Sequence, residues 1–246
     1  DVQGMLEAWV GRINERWPDR QVSQVQTLPE NVWLDELDRS DLERWEVPIG
    51  FSELNLGTAT VDFGGIAPHL LVYGDNQTGK STLLRTLVQG IVAGKSSDEV
   101  GIAFIDHRRS LMGCVPEEFE VAYGMSGDQS AGIAASIAES LRQRLPSADA
   151  TPEQLRDRSW WSGLELFIVV DDYDLVSTSS GNPLQPLLEL VAQASDLGFH
   201  LVIGRRIGGL ARAMHEPLLQ RLADVSTPGI IFAGDPMEGR LVNGVA

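Results

Sequence analysis

His69-Leu70-Leu71-Val72-Tyr73-Gly74-Asp75-Asn76-Gln77-Thr78-Gly79-Lys80-Ser81-Thr82 is the stretch on which the rest of the chain hangs. Its apolar run Leu70–Tyr73 stops at Gly74, gives way to polar residues, and resumes as Leu83, Leu84, Leu87, Val88 and Ile91 at helical spacing. That pattern predicts a buried strand, a turn and a helix start. Gly74-x4-Gly79-Lys80-Ser81 has the spacing of a phosphate-binding loop, in which backbone N–H groups at a helix N-terminus face a polyphosphate. Gly74 and Gly79 permit backbone angles and close approaches that a Cβ would block. Asp75, Asn76, Gln77 and Thr78 complete the loop between them. Lys80 reaches the β- and γ-phosphates, Ser81 offers its hydroxyl to Mg2+, and Thr82 adds a phosphate contact. The expected cofactors are therefore ATP and Mg2+.

A second strand completes the chemistry. Residues 164–170 are nearly all apolar, as a strand covered on both faces should be, and they end in Asp171-Asp172-Tyr173-Asp174. A carboxylate at the C-terminal end of such a strand is what Mg2+ coordination needs beside a phosphate loop. Asp171 is the expected metal-side carboxylate, together with Ser81. Asp172 is the candidate catalytic residue, placed to orient the attacking water, or else it only caps the strand end. In many related sites a glutamate stands there. Aspartate is one methylene shorter, and a misplacement of about 1 Å can cost ~10²-fold in rate. Good nucleotide binding with weak or absent hydrolysis is expected.

The 246 residues, with 43% hydrophobic content, suffice for one full α/β core plus an N-terminal extension. A net charge of −16 argues against a general electrostatic footprint for nucleic acid. The single cysteine, Cys114, cannot form an internal disulfide and fits a reducing compartment. No apolar run approaches the roughly 20 residues that span a bilayer. The chain opens without Met, as an excised piece of something longer would.

Met5, Leu6, Trp9, Val10 and Ile13 predict an amphipathic helix over 2–16 that docks on the main body. Residues 18–50 read as an irregular arm, with Trp33 and Trp45 either pinning it to the core or lining a partner pocket. Further strands are expected at 100–105, 119–123, 199–203 and 230–233, and helices at 130–145, 153–161, 184–194 and 210–222. The alternation implies a mostly parallel sheet with helices on both faces and sites at the strand C-terminal ends. The division expected is 1–45 as linker helix and arm and 46–246 as the ATPase domain. Asp106, ending strand 100–105, serves either structure or chemistry. Arg205-Arg206, ending strand 199–203, touch a phosphate, face a neighbouring subunit, or are merely solvated. His69, His107, His200 and His215 have no metal-ligand spacing.

The phosphate loop, the Asp171-Asp172-Tyr173-Asp174-Leu175 strand end and the His200-Leu201-Val202-Ile203 strand resemble the FtsK/SpoIIIE-type ATPase modules of type VII (ESX) secretion systems, the EccC proteins. The tail carries the resemblance furthest: Arg206-Ile207-Gly208-Gly209-Leu210-Ala211-Arg212-Ala213-Met214-His215-Glu216-Pro217, then Pro228-Gly229-Ile230-Ile231-Phe232-Ala233-Gly234-Asp235-Pro236-Met237-Glu238-Gly239. The resemblance implies a RecA-like P-loop NTPase at the cytoplasmic face of the inner membrane. Its partners would be other ATPase modules of the motor, membrane complex components, and WXG100-type substrates held by a C-terminal signal. It further implies the last module of the motor, binding ATP with little turnover. Asp172, and Arg205-Arg206 in place of a Thr-Gln-like sensor, depart from the motor pattern and put hydrolysis in doubt. A motor active on oligomerisation and a DNA translocase are the alternatives.

Overall fold

The structure, a computed structural model, describes residues 2–17, 27–179 and 181–232. Its centre is a six-stranded sheet in the order β5-β4-β6-β7-β3-β8: β3 Leu70–Tyr73, β4 Val100–Ile105, β5 Glu120–Gly124, β6 Glu165–Val170, β7 Phe199–Arg205 and β8 Gly229–Ile231. All its neighbouring strands pair in parallel. The mostly parallel α/β architecture expected from the alternating pattern is therefore present.

Alternation along each strand sends side chains to two separate cores. Leu71, Tyr73, Ile168, Val170, Leu201 and Ile203 pack on one face against the helix α3 (Gly127–Arg142) and the segments after β6. Leu70, Val72, Phe167, Val169 and Val202 pack on the other, under the helix α2 (Lys80–Val92). Burial on both faces is why these strands read as continuous apolar runs.

The second face is closed by a hairpin the sequence did not disclose: β1 Glu46–Phe51 pairs antiparallel with β2 Thr58–Asp62, with an irregularity between Pro48 and Gly50. Part of the expected irregular arm is thus a strand, and residues 18–26 lie outside the described residues. Trp45, just before β1, is buried against Phe167 and His200, with ring centroids 5.7 and 6.2 Å away. Trp33 is not an anchor, being 70% exposed.

The first helix, α1 (Val2–Arg16), forms where its periodicity predicts, but it does not dock on the described residues: it has no buried residue, and Met5, Leu6, Trp9, Val10 and Ile13 are all exposed. The helix expected over 184–194 is broken into 3-10 turns at Gln185–Leu187 and Val191–Gln193, followed by α6 Ala194–Leu197. Pro186 has no N–H and its ring opposes a continuous helix. The helix expected over 210–222 is two, α7 Leu210–Ala213 and α8 Pro217–Asp224, divided at Pro217, which takes the first helical position behind a Glu216 cap. The helix α4 is shorter than predicted, Pro152–Asp157, and stops at Arg158 in the left-handed region. One turn of helix, α5 Tyr173–Val176, follows β6. Residue 233 and the tail beyond it fall outside the described residues. Among the described residues no helix is long and apolar enough to cross a membrane.

Candidate functional site

The strand β7 lies between β3 and β6, so the phosphate loop and the Asp171-Asp172 strand end open onto the same rim from strands one apart. After Tyr73 the chain turns at Gly74, and Gln77 (φ 61) and Gly79 (φ 105) take left-handed angles before α2 begins at Lys80. The loop closes on itself: Thr78 Oγ1 donates to Asp75 O (2.9 Å) and the Lys80 ammonium donates to the same carbonyl (2.8 Å). A Cβ on Gly74 would sit 2.5 Å from Thr78 Oγ1, and Gly79 holds a φ of 105 that a side chain rarely adopts, so the cradle calls for glycine at both positions. Asp75, Asn76, Gln77 and Thr82 are exposed around it.

Asp171 is buried and held from several sides. Its N–H donates to Ile105 O (3.1 Å), fixing the strand end, and its Oδ1 accepts from the Asp172 N–H (3.0 Å). Its Oδ2 accepts from Ser81 Oγ (2.6 Å) and Ser110 Oγ (2.5 Å). Gly204 on β7 leaves room for this carboxylate, since a Cβ there would come within 3.3 Å of Asp171 Oδ1. A serine hydroxyl from the phosphate loop already against a strand-end aspartate is the donor set that suits Mg2+.

Asp172 adopts φ 49 and pairs with Arg108, whose Nε lies 2.8 Å from its Oδ2. Burial and the neighbouring Asp171 charge raise its carboxyl above the usual range, and Arg108 opposes them. Lys80, Ser81, Asn76, Gln77, Arg108, Ser110 and Asp172 line one cleft of about 360 Å³.

Arg108 and Ser110 belong to the loop after β4, where the sequence offered only Asp106 as a candidate. Asp106 organises it, accepting from the Arg108 N–H (3.0 Å), the Leu111 N–H (2.7 Å) and the Tyr123 hydroxyl (2.6 Å). Asp106 therefore serves structure. Arg85 of α2 ties the loop down by donating to Ser110 O. Strand position was the available signal, since a loop leaving the neighbour of β6 reaches the same rim. Of Arg205, which ends β7, and Arg206 after it, Arg206 is engaged by Asp174, with its Nε 2.7 Å from Oδ2 and its N–H 3.1 Å from Oδ1. Although burial opposes it, Arg206 holds the Asp174 carboxyl below its usual range. Arg205 donates to Arg206 O (2.8 Å). Cys114 is half-buried, and burial pushes its thiol up to about 11.

A phosphate loop on β3 and an aspartate on β6, separated by β7, define a RecA-like P-loop nucleoside triphosphatase. Residues 39–115 match the FtsK/SpoIIIE family. The chain is 40% identical over 236 residues to the ESX secretion system protein EccC of Thermomonospora curvata, covering 96% of this chain and 18% of that one. It is 43% identical over 193 residues to the ESX-4 secretion system protein EccC4 of Mycobacterium tuberculosis, covering 78% and 16%. It superposes with a TM-score of 0.86 on the cytoplasmic domain of the T. curvata type VII secretion ATPase EccC, covering 96% of this chain and 27% of that one. The TM-score is also 0.86 for T. curvata EccC ATPases 2 and 3 in complex with a signal sequence peptide, covering 96% and 42%. The chain belongs to the FtsK/SpoIIIE family and is an ATPase module of the EccC type. It spans under a fifth of the length of these two curated relatives.

Proposed function

We propose that this chain binds Mg-ATP and turns it over slowly or not at all, contributing ATP-dependent structure to a type VII secretion motor. Gly74 to Thr82 cradle the phosphates, Lys80 leaves the Asp75 carbonyl for the β- and γ-phosphates, and Ser81 with Asp171 holds the metal. Mg2+, when bound, neutralises charge on the phosphate oxygens. Asp172 is the candidate base-side residue. The observation that carries low turnover is Asp172 itself, a carboxylate one methylene shorter than a glutamate and held at the strand end in a left-handed backbone. The residues 46–246 form the ATPase domain in this reading and 1–45 link it to a preceding module.

The wider reading rests on kinship with EccC. The chain would act at the cytoplasmic face of the inner membrane, as the last module of the motor, with other modules and membrane components as partners. The signal sequence peptide named with the T. curvata ATPases supports a role in holding the C-terminal signal of small WXG100-type proteins.

The purified chain is tested for nucleotide content and for ATP turnover, alongside Lys80→Ala and Asp172→Glu. Bound ATP, negligible turnover and activity gained in Asp172→Glu are expected. Turnover in the unaltered chain that Lys80→Ala abolishes would instead make it a motor in its own right.

A further inference from the structure

The Arg108–Asp172 pair is held unevenly. Asp172 is fixed: its side chain is 13% exposed, its backbone is left-handed, and its N–H is bound to Asp171. Arg108 is fixed only at its backbone, through its N–H on Asp106, while its side chain is 54% exposed and borders the cleft shared with Lys80 and Ser81. Asp172 lines that cleft, with Asp171 buried next to it behind the Ser81 and Ser110 hydroxyls, so a polyphosphate entering the cleft meets the Asp172 carboxylate. Lys80 and Arg108 are the cations that line it.

We propose that Arg108 is a terminal-phosphate-recognising arginine supplied from within the chain. Held on Asp172 in this structure, it transfers to the γ-phosphate of a nucleoside triphosphate. The planar fork of a guanidinium matches phosphate oxygens in pairs, and a terminal phosphate carries more charge and more acceptors than a single carboxylate. The transfer leaves Asp172 unpaired and able to accept a hydrogen bond from water. A diphosphate has no γ-phosphate for the arginine to reach and leaves the pair closed. One side chain thereby links the identity of the nucleotide to the availability of Asp172. This inference rests on the Mg-ATP reading above and specifies what discriminates triphosphate from diphosphate.

Binding of ADP and of a non-hydrolysable ATP analogue to this chain, with Mg2+ present, tests it in Arg108→Ala, Arg108→Lys and Asp172→Asn. Arg108→Ala should weaken the analogue roughly tenfold or more and ADP by less than about twofold, as the loss of one charge-assisted contact to the terminal phosphate requires. Arg108→Lys should recover part of the difference. Asp172→Asn, which releases the arginine, should tighten the analogue more than ADP. Thermal unfolding without nucleotide checks that the variants fold, which the exposed Arg108 side chain favours. Equal weakening of both nucleotides, or an unchanged ratio between them, would overturn the role of the arginine while leaving nucleotide binding intact. Failure of the unaltered chain to bind either nucleotide would overturn the Mg-ATP reading and this inference with it.

Discussion

A methyl group added at Gly74 would lie 2.5 Å from Thr78 Oγ1 and 3.1 Å from Phe232 Cβ. Gly74→Ala must therefore displace the Thr78 hydroxyl from Asp75 O or push β8 away from β3. Calorimetric titration should show ATP affinity reduced at least about tenfold, with the circular dichroism of the sheet and helices retained. His69 is a different kind of residue. Its Nδ1 accepts from the Leu201 N–H (3.0 Å), which assigns the proton to Nε2, facing Val191 O (3.2 Å). Burial holds it neutral, lowering its pKa from 6.5 to about 4. The unfolded chain thus binds this proton at higher pH than the folded one. The stability from neutral His69 is complete above pH 6.5 and is lost as pH falls through about 4. The slope approaches 1.4 kcal/mol per pH unit and the total is roughly 3 kcal/mol. Denaturant titrations at pH 7, 5.5 and 4.5 should therefore be flatter with pH in His69→Asn, which keeps an acceptor for Leu201. An unchanged slope would remove His69 from the acid sensitivity. At this scale the sequence was partly legible. Asp171 follows from an apolar strand ending in a carboxylate. The run Asp106-His107-Arg108-Arg109 does not say which arginine meets the site; that is decided by the bonds to Asp106 and by the left-handed Arg109 (φ 62).

Between elements, the closest approach tied to a glycine in α2 is that of Gly90, whose added Cβ would stand 2.5 Å from Val47 Cγ1 in β1. Helix propensity alone would make Gly90→Ala stabilising by about 1 kcal/mol. The stiff, buried Val47 reverses the sign, because overpacking of this kind costs roughly 1–3 kcal/mol. Gly90→Ala is expected to destabilise the chain in equilibrium unfolding, yet to stabilise it in a Val47→Ala background. The same sign in both backgrounds would mean that the hairpin yields freely to α2. This contact explains an element the sequence hid. Glu-Val-Pro-Ile-Gly-Phe carries a proline and a glycine, and its irregularity between Pro48 and Gly50 breaks the alternation that marks a strand. The central strands suffered no such loss, because burial on both faces writes itself as an unbroken apolar run. Helical pattern without attention to proline gave too much helix over 184–194, where Pro186 cuts the hydrogen-bond ladder.

For the molecule as a whole, charge and hydrophobic burial point in separate directions. At −16 the chain should show no multi-phosphate salt dependence on duplex DNA, and a slope of several units in log affinity against log salt would favour a translocase instead. Apolar burial is concentrated in the two cores of the sheet and omits α1. Periodicity correctly placed that helix but could not say whether its stripe has a partner within the chain, because amphipathicity records only that some apolar surface is needed. Met5, Leu6, Trp9, Val10 and Ile13 are 48–59% exposed, so among the described residues the stripe is left open. If it docked in solution, burying these five side chains would contribute on the order of 5 kcal/mol. At 2–4 °C per kcal/mol for a chain of this size, its removal would then lower the unfolding temperature by about 10 °C or more. Open as it is, removal of residues 2–17 should move the main unfolding transition by less than about 2 °C. A helix of 15 residues without tertiary contacts is also marginal in water, so its amides should exchange with solvent within the fastest class while those of β6 and β7 wait for global unfolding. A large fall in unfolding temperature, or slow exchange in α1, would mean that the stripe finds the body of this domain and is not kept for a neighbour.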